Sequence, residues 1–295
     1  MSSEIQTRIR KQLYEKTKKI ADPAGRKVEI LEDAQALKLA EECQTTVSNV
    51  YAEALALGIY PYRYLRNREA ISLGEQLRLL TSRVAVIGAG GLGGHVILLL
   101  ARLGIGTLVV VDYDVFDETN LNRQALSNME TLGKSKSEVA VRTVRSINPG
   151  VRVIPNTVKL DSSNASDILT GSDVAVDALD NVPDRFVLER TTKKLGIPLV
   201  HGALAGFEGQ IMTIFPDDPG LQHLYRDGGS SEDKANRPES VLGVPTLTPS
   251  LIASLEAMEV LKIVLKRGKI FRHTMAHVDL ETGQMNEFVF EKRQS

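Results

Sequence analysis

The stretch VAVIGAGGLGG, Val84 to Gly94, decides how the rest of the chain is read. Val84, Val86 and Ile87 suit a buried strand, and the glycines after them open onto a helix. Gly88, Gly90 and Gly93 fit G-x-G-x-x-G, with Gly91 inside the same turn. Small residues let backbone approach a phosphate, while the following helix directs its N-terminal N–H groups at the anion. Any tight strand-to-helix turn can use glycines, and this one serves a nicotinamide dinucleotide as well as ATP. The nucleotide has to be chosen by residues further along.

From Arg83 onward, strand and helix alternate. The pattern predicts strand Val84–Ile87, helix Gly91–Leu103, strand Thr107–Asp112, helix Lys136–Ile147 and strand Val151–Asn156. A short helix near Ala165–Leu169, strand Val174–Asp177, helix Pro183–Leu195 and strand Leu199–His201 follow, Pro183 suiting a first helical turn. GQIMTIFP reads as a further strand and Asp217 to Thr248 as a long polar loop, a length that usually marks a functional lid or disorder. A buried helix Pro249–Arg267, with Thr248 as N-cap and Gly268 as its stop, precedes closing strands around Met275–Asp279 and Gln284–Phe290. The expected fold is α/β: a doubly wound, mostly parallel, Rossmann-like sheet with added antiparallel strands. A small α-helical N-terminal region, residues 1–66, precedes a nucleotide domain, 67–295.

In that N-terminal region Ile5, Ile9 and Leu13 share one helical face. ALKLAEECQTTVSNVYAEALALGI then gives two short helical patterns like a helix-turn-helix. From Leu31 to Gly58 the acids Glu32, Asp33, Glu41, Glu42 and Glu53 oppose Lys38 alone, the wrong sign for a surface that meets phosphates. The pair is read as a helical cap or dimer element. Over all 295 residues, 36 Lys and Arg balance 37 Asp and Glu, so no bulk electrostatic attraction to nucleic acid or anionic membrane is expected. The charged N-terminus lacks the apolar core of a signal peptide, and no stretch is long and apolar enough for a membrane span. The expectation is a soluble, cytoplasmic protein. The single cysteine, Cys43, excludes an internal disulfide and fits a reducing compartment.

Asp112 ends the second strand, where this fold sets an acid against a ribose hydroxyl; NAD and ATP both carry that ribose. The deciding cluster follows in DYDVFDETNLNRQALSNMETLGKSK. Asn120, Arg123, Gln124, Gly133 and Lys136 fall beside the cleft at the carboxyl ends of the strands. A dinucleotide needs little positive charge there, whereas a triphosphate needs Arg, Lys or Mg²⁺ to neutralise charge in the transition state. Either cation alone is an ordinary surface residue. Together at this spacing they favour ATP.

GAGGLGG, VVVDYD, N-L-N-R-Q at Asn120–Gln124, G-K-S-K at Gly133–Lys136 and A-L-D-N at Ala178–Asn181 resemble, in order, the ThiF/MoeB/HesA adenylyltransferases, relatives of ubiquitin-activating enzymes. The likeness runs from about Arg63 to Glu291. It implies ATP with Mg²⁺ and a partner protein or peptide with a free C-terminal carboxylate, often a ubiquitin-like sulfur carrier ending in Gly-Gly. By matching motif, Gly88, Gly90, Gly91 and Gly93 would cradle phosphate and Asp112 the ribose. Asn120, Arg123 and Lys136 would contact phosphates, Asp180 would hold Mg²⁺, and Asn181 lies in the same motif. RYLRN, Arg63–Asn67, resembles a segment whose arginine, here Arg66, reaches into the partner subunit's site, which implies a homodimer.

The chain departs from that pattern where many members carry two C-x-x-C pairs. LQHLYRDGGSSEDKANRPESVLGVPT has no cysteine, and His223 alone cannot supply a tetrahedral site, so no structural zinc is expected. Cys43 reads as a packed or surface thiol and His201 as a structural histidine. The expected chemistry stops at adenylation, without a catalytic cysteine. An NAD(P)-dependent oxidoreductase and a non-catalytic nucleotide-binding regulatory protein are the alternatives.

Overall fold

The computed structural model describes residues 3–225 and 238–290. Part of the polar loop expected over 217–248, and the end of the family likeness at Glu291, lie outside the described residues. The chain opens with α1 (Ser3–Lys16), β1 (Lys18–Ala21), β2 (Lys27–Leu31), α2 (Asp33–Glu42), α3 (Val47–Ala56) and β3 (Tyr60–Pro61). Ile9 and Leu13 of α1 pack with Leu39 and Ala40 of α2 and Val50 and Tyr51 of α3 in one apolar cluster. That is the helical region expected, but β1, β2 and β3 add a three-stranded sheet to it. Its hairpin is made by Asp22, whose carboxylate accepts the N–H groups of Ala24 (2.9 Å) and Arg26 (2.8 Å), the Asx-type turn that Asp favours. α2 and α3 form the two-helix unit read from the sequence.

A 3₁₀ turn, Tyr62–Asn67, ties this region to the rest. Tyr64 is buried and its hydroxyl accepts from Asn148 Nδ2 (2.7 Å), while Arg63 donates to the Ile147 carbonyl (2.6 Å) and pairs with Asp33. There follow α4 (Leu73–Thr81), β4 (Arg83–Ile87), α5 (Gly91–Leu103), β5 (Thr107–Val111), α6 (Lys136–Ile147), β6 (Arg152–Asn156), α7 (Ala165–Leu169), β7 (Val174–Asp177), α8 (Val182–Leu195), β8 (Leu199–Ala205), β9 (Glu208–Ile214), α9 (Pro238–Leu242), α10 (Leu247–Leu265), β10 (Thr274–Asp279) and β11 (Gln284–Val289). The main sheet has the order β11-β10-β9-β8-β7-β4-β5-β6, parallel from β8 to β6 and antiparallel from β9 to β11.

Alternation along the strands divides the core into two. Val84, Val86, Leu108 and Val110 face α5, α6 and α10, whereas Ala85, Ile87, Val109 and Val111 face α7 and α8. Burial on both faces explains why these strands are continuous apolar runs. α10 differs from its expected ends. Thr246, not Thr248, stands before its first residue, Thr248 donates to the Gly206 carbonyl (2.7 Å), and Lys266 closes the helix in the left-handed region at φ 55°. Pro249 in the first turn costs no hydrogen bond, so the helix extends past it. Among the described residues no helix is long and apolar enough to cross a membrane.

Candidate active site

β4 is where the winding reverses, with β5 and β6 on one side and β7 and β8 on the other. Doubly wound sheets bind ligands beyond the carboxyl ends of the strands at such a point. A cavity of about 1000 Å³ opens there, at the upper end of the range of about 300–1000 Å³ usual for small-molecule sites.

The glycine turn forms its floor. Gly88 has φ 99°, and a Cβ on it would run into the Ala178 carbonyl, while a Cβ on Gly93 would run into the carbonyl of Gly88. These two glycines close the turn. Gly90 and Gly91 have ordinary clearance and line the cavity, so they leave backbone open to a ligand. Asp112, just past β5, accepts the N–H of Ala89 on Oδ2 (2.7 Å) and of Asp114 on Oδ1 (2.8 Å). Burial nevertheless pushes its pKa up. Each oxygen keeps a second acceptor site for a hydroxyl donor.

Two cations reach the cavity from the segment that joins β5 to α6, Arg123 midway along it and Lys136 at its end. Arg123 donates to the Thr119 carbonyl and to Asn122 Oδ1, both at 2.9 Å. Lys136, first in α6 and only 6 % exposed, donates from Nζ to Asp114 Oδ2 (3.1 Å) and stands 6.0 Å from the centre of the Phe116 ring. Across the cavity lie Asp180 and Asn181. Asn181, not Asp180, caps α8, its Oδ1 accepting the Asp184 N–H (2.9 Å) and its Nδ2 donating to Asp180 Oδ1 (3.3 Å). Asp180 is therefore an exposed carboxylate at the cavity and not a helix cap.

Three sequence-derived candidates lie elsewhere. Asn120 is buried in the loop, where Oδ1 accepts the Asp117 N–H (3.2 Å), and it does not line the cavity. Gly93 is within α5, behind the turn. Arg66 is exposed on the 3₁₀ turn, outside the cavity lining of its own chain. Gln124, by contrast, is buried against Gly90 with Oε1 lacking a partner among the described residues. An unsatisfied buried carbonyl costs free energy unless a ligand meets it; Gln124 ends the N-L-N-R-Q motif, but the resemblance gives it no contact of its own. Arg185 and Tyr225 also line the cavity; nothing in their sequence setting singled them out.

Below the floor, Glu256 of α10 is fully buried, and neither carboxyl oxygen has a partner among the described residues. Gly202 makes room for it, since a Cβ there would lie 2.6 Å from Glu256 Oε1. Desolvation, and then the Asp177 charge, push its pKa well up. The folded state thus holds a proton that the unfolded chain loses near pH 4.5, so stability falls as pH rises above that value. Glu256→Gln should remove this cost: little change in Tm at pH 5, and a rise of about 2–4 °C at pH 8 for each ~1 kcal/mol recovered. A scan showing an equal or smaller Tm for the variant at pH 8 would disprove the buried, proton-holding state.

Among the described residues no three His, Cys, Asp or Glu side chains gather as a metal cage. The carboxylate of Asp180, on a cavity that also holds a glycine turn and two cations, fits Mg²⁺, which takes one or two carboxylates and completes its shell with phosphate oxygens and water.

Comparison with known proteins agrees with this geometry. The ThiF family model matches residues 64–295. A SAMP-activating enzyme E1 of Haloferax volcanii is 44 % identical over 197 residues, 66 % of this chain and 71 % of that protein. An adenylyltransferase and sulfurtransferase MOCS3 of Arabidopsis thaliana is 34 % identical over 260 residues, 86 % of this chain but 56 % of that protein, so the chain spans little more than half of it. E. coli MccB, solved with MccA-N7isoASN, superposes with a TM-score of 0.68 over 79 % of this chain and 73 % of its own at 19 % identity, a likeness of fold. With the glycine turn, the Asp112 strand end and the A-L-D-N turn assembled on one cavity, the chain belongs to the ThiF family of adenylyltransferases.

Proposed function

We propose that this chain adenylates the C-terminal carboxylate of a small protein or peptide, a ubiquitin-like sulfur carrier before all, at the expense of ATP. A carboxylate oxygen attacks the α-phosphorus, the bond to the β-phosphate oxygen breaks, and pyrophosphate leaves with the electron pair. What carries the reading is the convergence on one cavity of phosphate-accepting backbone at Gly90 and Gly91, the acceptor Asp112, the cations Arg123 and Lys136 and the carboxylate of Asp180. The turn and the start of α5 would hold phosphates by backbone N–H groups, and Asp112 the ribose. Arg123 and Lys136 would offset the charge that grows on the leaving pyrophosphate. Asn120 would act by shaping the loop that carries Arg123, and Asn181 by setting the start of α8 beside Asp180. Mg²⁺, held by Asp180 and phosphate oxygens, would supply further charge neutralisation.

In this account residues 1–66 form a small, mainly helical N-terminal region carrying its own three-stranded sheet and 67–295 the adenylation domain, no zinc closes the fold, and no cysteine takes the acyl group. Cys43 supports the last point: it is buried among α1, α2 and α3 with Sγ 3.6 Å from Gln12 Oε1. Support for a homodimer comes from α10, where Leu247 (62 % exposed) and Met258 (49 % exposed) are open to solvent, with Leu251 and Leu255 between them half-buried against the core. Two large apolar side chains exposed on one helix are what a partner surface would cover.

The test is calorimetric titration with ATP and Mg²⁺, ATP alone and NAD. ATP should bind, more tightly with Mg²⁺, and NAD only weakly. Tight NAD without measurable ATP would turn the reading to an oxidoreductase.

A further inference from the structure

On the α8 side of the sheet, behind the cavity wall, lies a buried charged cluster that none of these roles uses. Asp177 ends β7 and His201 stands opposite it in register on β8. Both are fully buried, with His201 Nδ1 2.7 Å from Asp177 Oδ2. The other oxygen, Oδ1, accepts the N–H of Leu179 (3.0 Å). Arg185, in the first turns of α8, has Nε 3.7 Å from Asp177 Oδ2 and donates from one terminal nitrogen to the carbonyl of Leu179 (2.7 Å). Its other terminal nitrogen donates to the Tyr225 hydroxyl (2.7 Å). Leu179 is thus gripped at both its N–H and its C=O, and the next residue is Asp180.

The chemistry assigns the proton on the imidazole. A carboxylate only accepts, so Nδ1 carries the hydrogen. Nε2 is buried with no partner among the described residues, which suits a lone pair but would strand an N–H. Burial pushes the His201 pKa down in keeping with that neutral form.

We propose that His201 is a positioning residue of the adenylation site: its Nδ1–H orients Asp177, and Asp177 with Arg185 clamps the Leu179 backbone and so aims Asp180 into the cavity. The inference rests on the reading of Asp180 as the carboxylate that meets Mg²⁺ and ATP. Without the imidazole donor, Asp177 Oδ2 keeps, among the described residues, the 3.7 Å approach of Arg185, too long for a hydrogen bond. The carboxylate is then free to turn, and the grip on Leu179 loosens.

The 295-residue chain is made as His201→Leu and His201→Asn, the second offering an amide N–H near the place of Nδ1. ATP affinity is measured with and without Mg²⁺, and hydrogen exchange is followed at residues 178–181. In His201→Leu, ATP alone should bind as in the wild type. The gain in affinity on adding Mg²⁺ should shrink about tenfold, within the range for removing a partner that orients a metal ligand, and the Leu179 amide should exchange faster. His201→Asn should restore both. A folded His201→Leu with wild-type exchange and Mg²⁺ gain, or an Asn variant as impaired as Leu, overturns the proposal. Should His201→Leu not fold, Arg185→Lys keeps the charge beside Asp177 but removes the fork to Leu179, and unchanged readouts there overturn it equally. Asp180→Ala, measured alongside, separates the two claims. If it leaves the Mg²⁺ gain intact while His201→Leu still loosens Leu179, the metal assignment fails and the clamp stands.

Discussion

Arg123→Ala and Asp180→Ala should each lower ATP–pyrophosphate exchange by about two to five orders of magnitude, the range seen when a charge-stabilising group is removed from a phosphate-transfer site. Among the described residues Arg123 is held in place by the Thr119 carbonyl and Asn122 Oδ1, neither of them a carboxylate, which leaves its positive charge for a ligand. Asp180 is exposed at the cavity while its neighbour Asn181 does the capping of α8. Both variants should therefore fold normally, and a thermal scan within about 2 °C of wild type would show it. A folded variant that loses less than threefold would return that residue to a role on the surface.

The second large effect concerns Arg66. It is exposed and does not line its own chain's cavity, although its neighbours Tyr64 and Leu65 are buried. The 3₁₀ turn anchors one side of the RYLRN segment and presents Arg66 outward, as a group donated to a second subunit would be. In a two-fold dimer each site would then contain its own Asp180 and the partner subunit's arginine. Arg66→Ala and Asp180→Ala should each be inactive alone. After subunit exchange about half the dimers are mixed, and in each of these one site carries both defects and the other neither. Mixing should thus restore roughly a quarter of wild-type activity. If Arg66 acts within its own chain, every site keeps one defect, and confirmed exchange without restored activity would exclude the trans arrangement.

Elements set by local chemistry were legible in the sequence. α5 starts after Gly90 and ends at Gly104, and α8 ends at Gly196, both glycines in the left-handed region that closes helices. Gly88, Asp112, Lys136 and Asp180 fall on one cavity because each follows or precedes an element whose end the sequence marks. The hairpin of β1 and β2 was hidden for the opposite reason. Its strands are short and β1 is largely exposed, so a run of lysines reads like an extension of α1, and only Asp22, Pro23 and Gly25 mark the turn. The clamp on Leu179 was not readable at all. His201 and Asp177 are 24 residues apart and meet through strand pairing, and Arg185 looks from sequence like any helical arginine. Gln124 was visible as a motif member, but its orphaned carbonyl exists only once the loop folds against Gly90.

The most direct test of adenylation is exchange of labelled pyrophosphate into ATP by the 295-residue chain with a carrier that co-purifies with it, presented with a free or an amidated C-terminus. Exchange should need both Mg²⁺ and the free carboxylate and should vanish with the amide. Label entering ATP equally well with the amidated carrier would contradict this.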